Sequence, residues 1–288
     1  MNGPLAPGQR LAGYRIERLL AQGGQGALYA AIEEASGEWR ALKVLTPGLG
    51  ADPEERDEAA RRFEREAQAA ARLQHPDIVR IHQTGSEAGV AYLVMDLLHG
   101  CDLVRYTRPG RLLPEPVVLR LAERIARALA HAHARGVVHR DLKPANVMVD
   151  WAADRVTLTD FGLARLADAE RTRTGLVLGS PVYMAPELLA GEAASARSDQ
   201  YALGVLLYQL LTGELPFDAL QLGELLRQVA QQAPLPLQAH RPDLPSDLLA
   251  PLQALIGELL AKRAADRPTD GDALAARLAG LQGPPSGR

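Results

Sequence analysis

In Ala41-Leu42-Lys43-Val44-Leu45 the apolar alternation predicts a half-buried strand with a lysine inside it. A lysine so placed needs either a route for its ammonium to water or a fixed anion. Upstream, Leu20-Ala21-Gln22-Gly23-Gly24-Gln25-Gly26-Ala27-Leu28-Tyr29 reads as strand, glycine-rich turn and strand. Such a run serves either as a hairpin turn or as a lid whose backbone N–H groups approach phosphates; a cationic residue downstream, here Lys43, favours the lid. Asp52-Pro53-Glu54-Glu55 predicts a helix start, with Asp52 as N-cap, Pro53 at the first helical position and Glu55 closing the capping box. On the helix that follows, Phe63, Glu66, Ala70 and Leu73 recur at spacings of three or four, which puts Glu66 on the apolar stripe. Glu66 is then either solvated at the stripe's border or paired inside, and an unpaired buried carboxylate costs several kcal/mol. Lys43 is its natural partner.

The densest chemistry lies in Val138-His139-Arg140-Asp141-Leu142-Lys143-Pro144-Ala145-Asn146, followed by Asp160-Phe161-Gly162. The spacing suits Mg²⁺-assisted phosphoryl transfer, with Asp141 as base, Asn146 and Asp160 as metal ligands, and Lys143 beside the transferring phosphoryl. Hard cations take oxygen ligands, which these residues supply. Each tripeptide alone is a weak signal, a loop or a turn. Together, in this order and separated by a hairpin-sized insert, they are a strong one.

On these motifs the chain resembles a eukaryotic-like serine/threonine protein kinase of the bacterial type, over about Tyr14 to Leu281. The resemblance implies an α+β, bilobal protein kinase fold. A small N-lobe of five antiparallel strands plus the Glu66 helix would stand beside a larger, mainly α-helical C-lobe, with ATP in the cleft between them. The implied division is an N-terminal tail at 1–13, the N-lobe at 14–95, hinge and C-lobe at 96–282, and a C-terminal tail at 283–288. The implied cofactors are ATP and Mg²⁺ or Mn²⁺. Carried over by position, Lys43 would hold the α and β phosphates, Glu66 would orient it, and Gly23, Gly24 and Gly26 would cover the phosphates. Tyr92-Leu93-Val94-Met95-Asp96-Leu97-Leu98 resembles the last N-lobe strand running into the hinge, with Met95 as gatekeeper and the Asp96 and Leu98 backbone facing adenine. Asp102 matches the ribose position, and Leu20, Leu28, Ala41 and Met148 would form the apolar walls.

The resemblance extends to Gly179-Ser180-Pro181-Val182-Tyr183-Met184-Ala185-Pro186-Glu187, the end of the activation segment, with Ser180 where the family usually has threonine. It implies that Glu187 pairs with Arg267 and that Asp199 is a buried brace for the catalytic loop. Thr172 and Thr174 are the implied phosphorylation sites, with Arg140 and Arg165 as the arginines that receive the phosphate. Ala21 in place of the lid's first glycine, Leu28 in place of a valine, and Lys262-Arg263-Ala264 before Asp266 depart from the family pattern. The last puts a local turn in doubt.

At 288 residues the chain suits two packed lobes, and a net charge of −3 gives no electrostatic case for nucleic acid. The single cysteine, Cys101, excludes an internal disulfide and fits a reducing, cytoplasmic setting, where it reads as a small filler. The longest apolar stretch, Ala202 to Leu211, is broken by Gln209 and falls short of the ~20 residues a bilayer needs. Gly- and Pro-rich Met1–Pro7 and Gly283–Arg288 are expected to be disordered, and Pro234–Pro245 to be a loop. The expected partners are protein substrates, a second copy for autophosphorylation in trans, and a phosphatase as antagonist. A pseudokinase scaffold would have lost Lys43, Asp141 or Asp160. A small-molecule kinase of the aminoglycoside or choline type would lack a segment ending in Ala185-Pro186-Glu187. Lys143 after Asp141-Leu142 marks a serine/threonine rather than a tyrosine kinase.

Overall fold

Alternation along three strands builds the first half of the molecule. In β3 (Gly26–Glu33), β4 (Trp39–Leu45) and β6 (Val90–Asp96), Ala27, Tyr29, Ala31, Leu42, Val44, Tyr92 and Val94 fall on one face and are buried in one cluster. Ala41, Ala91, Leu93 and Met95 fall on the other, where they meet Phe63 and Ala67 of helix α1 (Pro53–Ala71). The two-residue side-chain period of a strand dictates this division. In the computed structural model residues 5–23, 26–45, 53–87, 89–161 and 181–282 are described, with backbone only at 53–60 and 62.

The chain divides into two compact units, Met1–His99 with Phe161–Leu176, and Gly100–Asp160 with Val177–Arg288. The first break falls after His99, and Asp96 still pairs with Arg40 in the sheet of the first unit. The sheet of the first unit is antiparallel, in the order β1-β2-β3-β4-β6-β5, with β1 at Arg10–Leu11, β2 at Tyr14–Gly23 and β5 at Ile81–Glu87. It therefore carries one strand beyond the five expected. The extra strand lies inside the segment read as a tail: Leu11 is buried in the core and Leu5 packs against it, its N–H donating to the Tyr29 hydroxyl at 2.9 Å. Apolar side chains at these two positions recover enough burial to order a polar, Gly-rich segment. Leu5–Pro7 are thus structured, contrary to the expectation of disorder.

The second unit is mainly helical. A small sheet of β7 (Cys101–Asp102), β8 (Val147–Asp150) and β9 (Arg155–Leu158) sits with α2 (Glu115–His133), α3 (Pro186–Leu189), α4 (Ala196–Thr212), α5 (Leu222–Gln231), α6 (Leu237–His240), α7 (Ser246–Leu259) and α8 (Gly271–Gly280). Helix α4 is its centre: a Ser195/Ser198 capping box starts it, left-handed Gly213 stops it, and nearly every residue between is buried. Helix α2 packs on α4 and on α8, whose first residue, Gly271, approaches Ala130 so closely that a Cβ would come within 2.8 Å. The proline-rich stretch read as a loop contains α6. Leu237 there is fully buried and its N–H donates to Gln253 Oε1 at 2.6 Å, so one anchored side chain turns the stretch into a helical turn.

Candidate active site

The loop from His139 to Asn146 is held by its own side chains. Lys143 Nζ donates to Asp141 Oδ2 at 2.7 Å, and Asn146 Nδ2 donates both to the Asp141 carbonyl at 2.7 Å and to Oδ2 at 3.0 Å. Two donors therefore fix the Asp141 carboxylate, whose side chain keeps 26% of its surface exposed. Asn146 is buried immediately before β8, and its carbonyl accepts from the Thr159 N–H at 2.9 Å, which ties the loop to the residue before Asp160. Arg140 (φ +70°) and Asp160 (φ +61°) both sit in the left-handed region, an unusual place for side chains of this size.

One carboxylate from α4 organises the backbone of this loop. Asp199 Oδ2 accepts from the His139 N–H at 2.8 Å and lies 2.7 Å from His133 Nε2, while Oδ1 accepts from the Arg140 N–H at 2.9 Å. Asp199 is 1% exposed, so these bonds act at low dielectric. His139 is fully buried, and its Nδ1 lies 3.3 Å from the Asp141 N–H. Burial pushes its imidazole below the ordinary value, against the opposing pull of Asp199, Asp141 and Asp160.

In the first unit, Lys43 is half-buried and pairs across the sheet with Leu28 and Leu93. It stands in phase with Ala41, on the face that α1 covers. Glu66, half-buried, lies on α1 between Phe63 and Ala67 of that same cluster. Ala41 pairs directly with Met95, and Leu28 and Leu98 pack against the cluster both belong to. Leu20 sits at the bulge of β2 opposite Leu28 and Tyr29. Gly23 and Gly26 face each other where β2 turns into β3. Gly26 (φ +143°) allows no side chain: a Cβ would lie 2.0 Å from the Val44 carbonyl oxygen. In the second unit, Asp102 pairs with Met148 across β7 and β8, and its Oδ1 caps the turn Leu103–Tyr106 at Val104 N–H, 3.1 Å away.

Glu187 and Arg267 form a bidentate pair, 2.6 and 2.8 Å between Nη1–Oε1 and Nη2–Oε2. The Arg267 side chain has no solvent exposure; its Nε donates to the Ala261 carbonyl at 2.9 Å and its guanidinium lies 4.9 Å from the Tyr201 ring centre. The adjacent turn that departs from the family pattern still forms, at Ala264–Asp266. Lys262 there donates to the Val229 carbonyl at 2.8 Å, and burial, then Arg267, push its ammonium down to about 8.

A family model described as the protein kinase domain matches residues 14–278. The chain belongs to the protein kinase family. This kinase domain is 37% identical over 275 residues to the serine/threonine-protein kinase pkn3 of Myxococcus xanthus, covering 92% of this chain and 49% of that relative. It is 38% identical over 291 residues to the serine/threonine-protein kinase PknA of Mycobacterium tuberculosis, covering 96% and 65%. The kinase domain of Mycobacterium tuberculosis PknI, a crystal structure, is 35% identical with a TM-score of 0.77 and covers 98% of this chain and 100% of that one. Rad53 in complex with AMP-PNP is 25% identical with a TM-score of 0.72, covering 92% and 64%. The chain spans from about half to two thirds of the length of these two curated relatives.

Of the residues read from the kinase motifs, Gly24, Gly162, Arg165, Thr172, Thr174 and Ser180 lie outside the described residues. His133, which partners Asp199, was missed by sequence reading. It stands at the end of α2, where it looks like one of several polar helix positions. Arg197 was missed too; its Nη1 donates to the Arg267 carbonyl at 2.9 Å and so helps to hold the segment that carries the buried guanidinium.

Proposed function

We propose that this domain transfers the γ-phosphoryl of ATP to serine and threonine hydroxyls of protein substrates, and phosphorylates its own activation segment at Thr172 and Thr174. The observation that carries this reading is the Asp141 carboxylate, held by Lys143 and Asn146 while Asp199 holds the backbone before it. A carboxylate so oriented accepts the proton of an attacking hydroxyl, and the ammonium 2.7 Å away offsets the charge that gathers on the phosphoryl oxygens.

The residues present fit a magnesium ion. With Asn146 Nδ2 committed to Asp141, the amide oxygen is the atom available to a cation, and Asp160 adds a carboxylate. Among the described residues no group of three or more His, Cys, Asp or Glu could hold a metal by itself. That suits Mg²⁺, which takes one or two protein ligands and completes its shell with phosphates and water. When bound, the ion would neutralise phosphate charge and orient the reacting group.

Lys43, oriented by Glu66, holds the α and β phosphates, and the backbone around Gly23, Gly24 and Gly26 covers them. Met95, Ala41, Leu28 and Leu98 share one apolar cluster, which supports adenine placement against this edge of the first unit, where Leu20 adds a wall; in the second unit Met148 is the proposed apolar contact and Asp102 the proposed ribose contact. Arg140 and Arg165 receive the phosphate on the activation segment. Single Cys101 suits a reducing compartment, and we place the domain in the cytoplasm. Among the described residues no helix is long and apolar enough to cross a membrane. A second copy acting in trans and an opposing phosphatase complete the proposed cycle.

The test is incubation of purified protein with labelled ATP and Mg²⁺ or Mn²⁺, a protein substrate and phosphosite mapping. Incorporation at serine or threonine, with Thr172 and Thr174 among the sites, is expected. Asp141→Asn should lower transfer at least about 100-fold. Near-normal transfer by that variant would overturn the assignment of the base.

A further inference from the structure

The second unit contains a concavity of about 740 Å³ lined by Asp102, Arg105, Arg108, Arg111 and Met148. This volume falls within the ~300–1,000 Å³ range of ligand sites. Between Leu103 and Pro114 there are three arginines and no acidic residue, a local charge of +3 in a chain whose net charge is −3. Several other arginines of the unit are matched by acids, among them Arg227 by Glu224, Arg241 by Asp243 and Arg277 by Glu258. Among the described residues, Arg105, Arg108 and Arg111 have no such carboxylate.

The shape of this basic surface is fixed. Gly100, at its rim, has φ +97° and packs where a Cβ would come 2.0 Å from the Val149 carbonyl oxygen. Thr107 Oγ1 donates to the Val104 carbonyl at 2.9 Å, the Arg111 N–H donates to the Arg108 carbonyl at 3.0 Å, and Pro109 is in close contact with Gly213. The concavity adjoins the catalytic loop. The strand that carries Met148 starts directly after Asn146, and the turn Leu103–Tyr106 packs against Pro144–Asn146.

We propose that this concavity is a specificity site for an oxyanion-bearing segment of the protein substrate. Carboxylate or phosphorylated side chains flanking the acceptor hydroxyl are received by the guanidiniums of Arg105, Arg108 and Arg111. The proposal rests on the protein-kinase reading above. Planar guanidiniums accept carboxylates and phosphates two atoms at a time, and three on one surface select for a run of negative charge rather than a single one. The nucleotide's phosphates are assigned to Lys43 and the glycine turn of the first unit, and its ribose and adenine to Asp102 and Met148, so the substrate is the source of the anion at the three arginines. Asp102, whose Oδ1 is engaged on the Val104 N–H, is the single negative group in a lining that carries three arginines.

The test uses the full chain and peptides with one serine acceptor flanked by glutamate, phosphoserine, alanine or lysine. Binding is read by fluorescence anisotropy on versions with alanine in place of the acceptor, and transfer as the ratio of kcat/KM between peptides. Glu- and phosphoserine-flanked peptides should bind at least roughly tenfold tighter than the alanine peptide, falling with salt. Their order of affinity distinguishes carboxylate from phosphate as the preferred source. In R105Q/R108Q/R111Q the ratio should fall to about one, and in R105E/R108E/R111E it should invert in favour of lysine. If the charge-reversed protein melts early, the glutamine variant alone decides. No preference in the unmodified protein, or a preference the glutamine variant retains, would overturn the proposal. Selective binding without phosphoryl transfer to any peptide would leave the site standing and defeat the kinase reading instead.

Discussion

Asp199 Oδ1 accepts a 2.9 Å hydrogen bond from the backbone N–H of Arg140, a residue held at φ +70° immediately before Asp141. A bulky side chain in the left-handed region costs on the order of 1–3 kcal/mol and persists only where the surroundings over-determine it. The other Asp199 oxygen takes the His139 N–H and faces His133, so a single buried carboxylate opposes that strain from both sides.

Asp199→Asn keeps the volume but turns an N–H₂ toward a backbone N–H. The loop should relax and carry Asp141 with it. Displacements of about 1 Å cost on the order of 100-fold in rate, so kcat should fall by about that factor while the KM for ATP changes less than about threefold. Steady-state kinetics with labelled ATP reads both. An unchanged kcat would show that the loop holds its geometry without the brace.

Arg267→Ala leaves the nearly buried Glu187 carboxylate without its partner and removes the carbonyl contacts at Ala261 and Arg197. Breaking a buried pair costs about 3–5 kcal/mol, which for a domain of this size lowers Tm by roughly 10 °C. Arg267→Lys should recover little, since an ammonium cannot reproduce the bidentate geometry. Calorimetry of the three proteins checks this; equal melting temperatures would show that the pair contributes nothing net.

His139 is held neutral below its ordinary value near 6.5, chiefly by burial. The unfolded chain protonates at that ordinary value, so below about pH 6.5 the unfolded state binds the extra proton and stability is lost as pH falls. Urea midpoints should drop between pH 7.5 and 5.5, and the drop should be smaller in His139→Leu. Parallel losses in both proteins would place the acid sensitivity elsewhere.

Gly26→Ala meets the Val44 carbonyl oxygen at 2.0 Å and requires an L-residue at φ +143°. The β3–β4 pairing should shift, at about 1–3 kcal/mol, and nucleotide affinity should fall with it. Gly23→Ala, whose Cβ would meet no atom of the described residues within 4 Å beyond its chain neighbours, is the matched control. Thermal shift with and without ATP separates the two variants, and equal behaviour would remove the steric role assigned to Gly26.

What could be read from the chain alone was chemistry carried by residues close in sequence. Asp141, Lys143 and Asn146 lie within six positions, and their mutual hydrogen bonds follow from that spacing once the loop is tight. Lys43 announced itself as a charge interrupting apolar alternation, and Glu66 as a charge on an apolar stripe. The strand at Arg10–Leu11 escaped because two residues carry no period, and α6 escaped because prolines on either side read as loop.

The sequence by itself determined the elements that alternation and helical phase mark, the candidates for the reacting groups and the family, because these signals and short motifs are local. Only the tertiary structure decided which distant groups meet. His133 and Asp199 stand 66 residues apart and neither carries a local mark of the other; Glu187 and Arg267 stand 80 apart, a pairing that the family resemblance implied and that no local pattern marks. The same holds for the basic concavity: three arginines in seven positions are a charge run in the sequence. They become a site only where Gly100 lets β7 close against β8 and Pro109 seats on Gly213. Burial, close backbone approach and the joining of separate segments are properties of packing, and packing is settled by the whole chain at once.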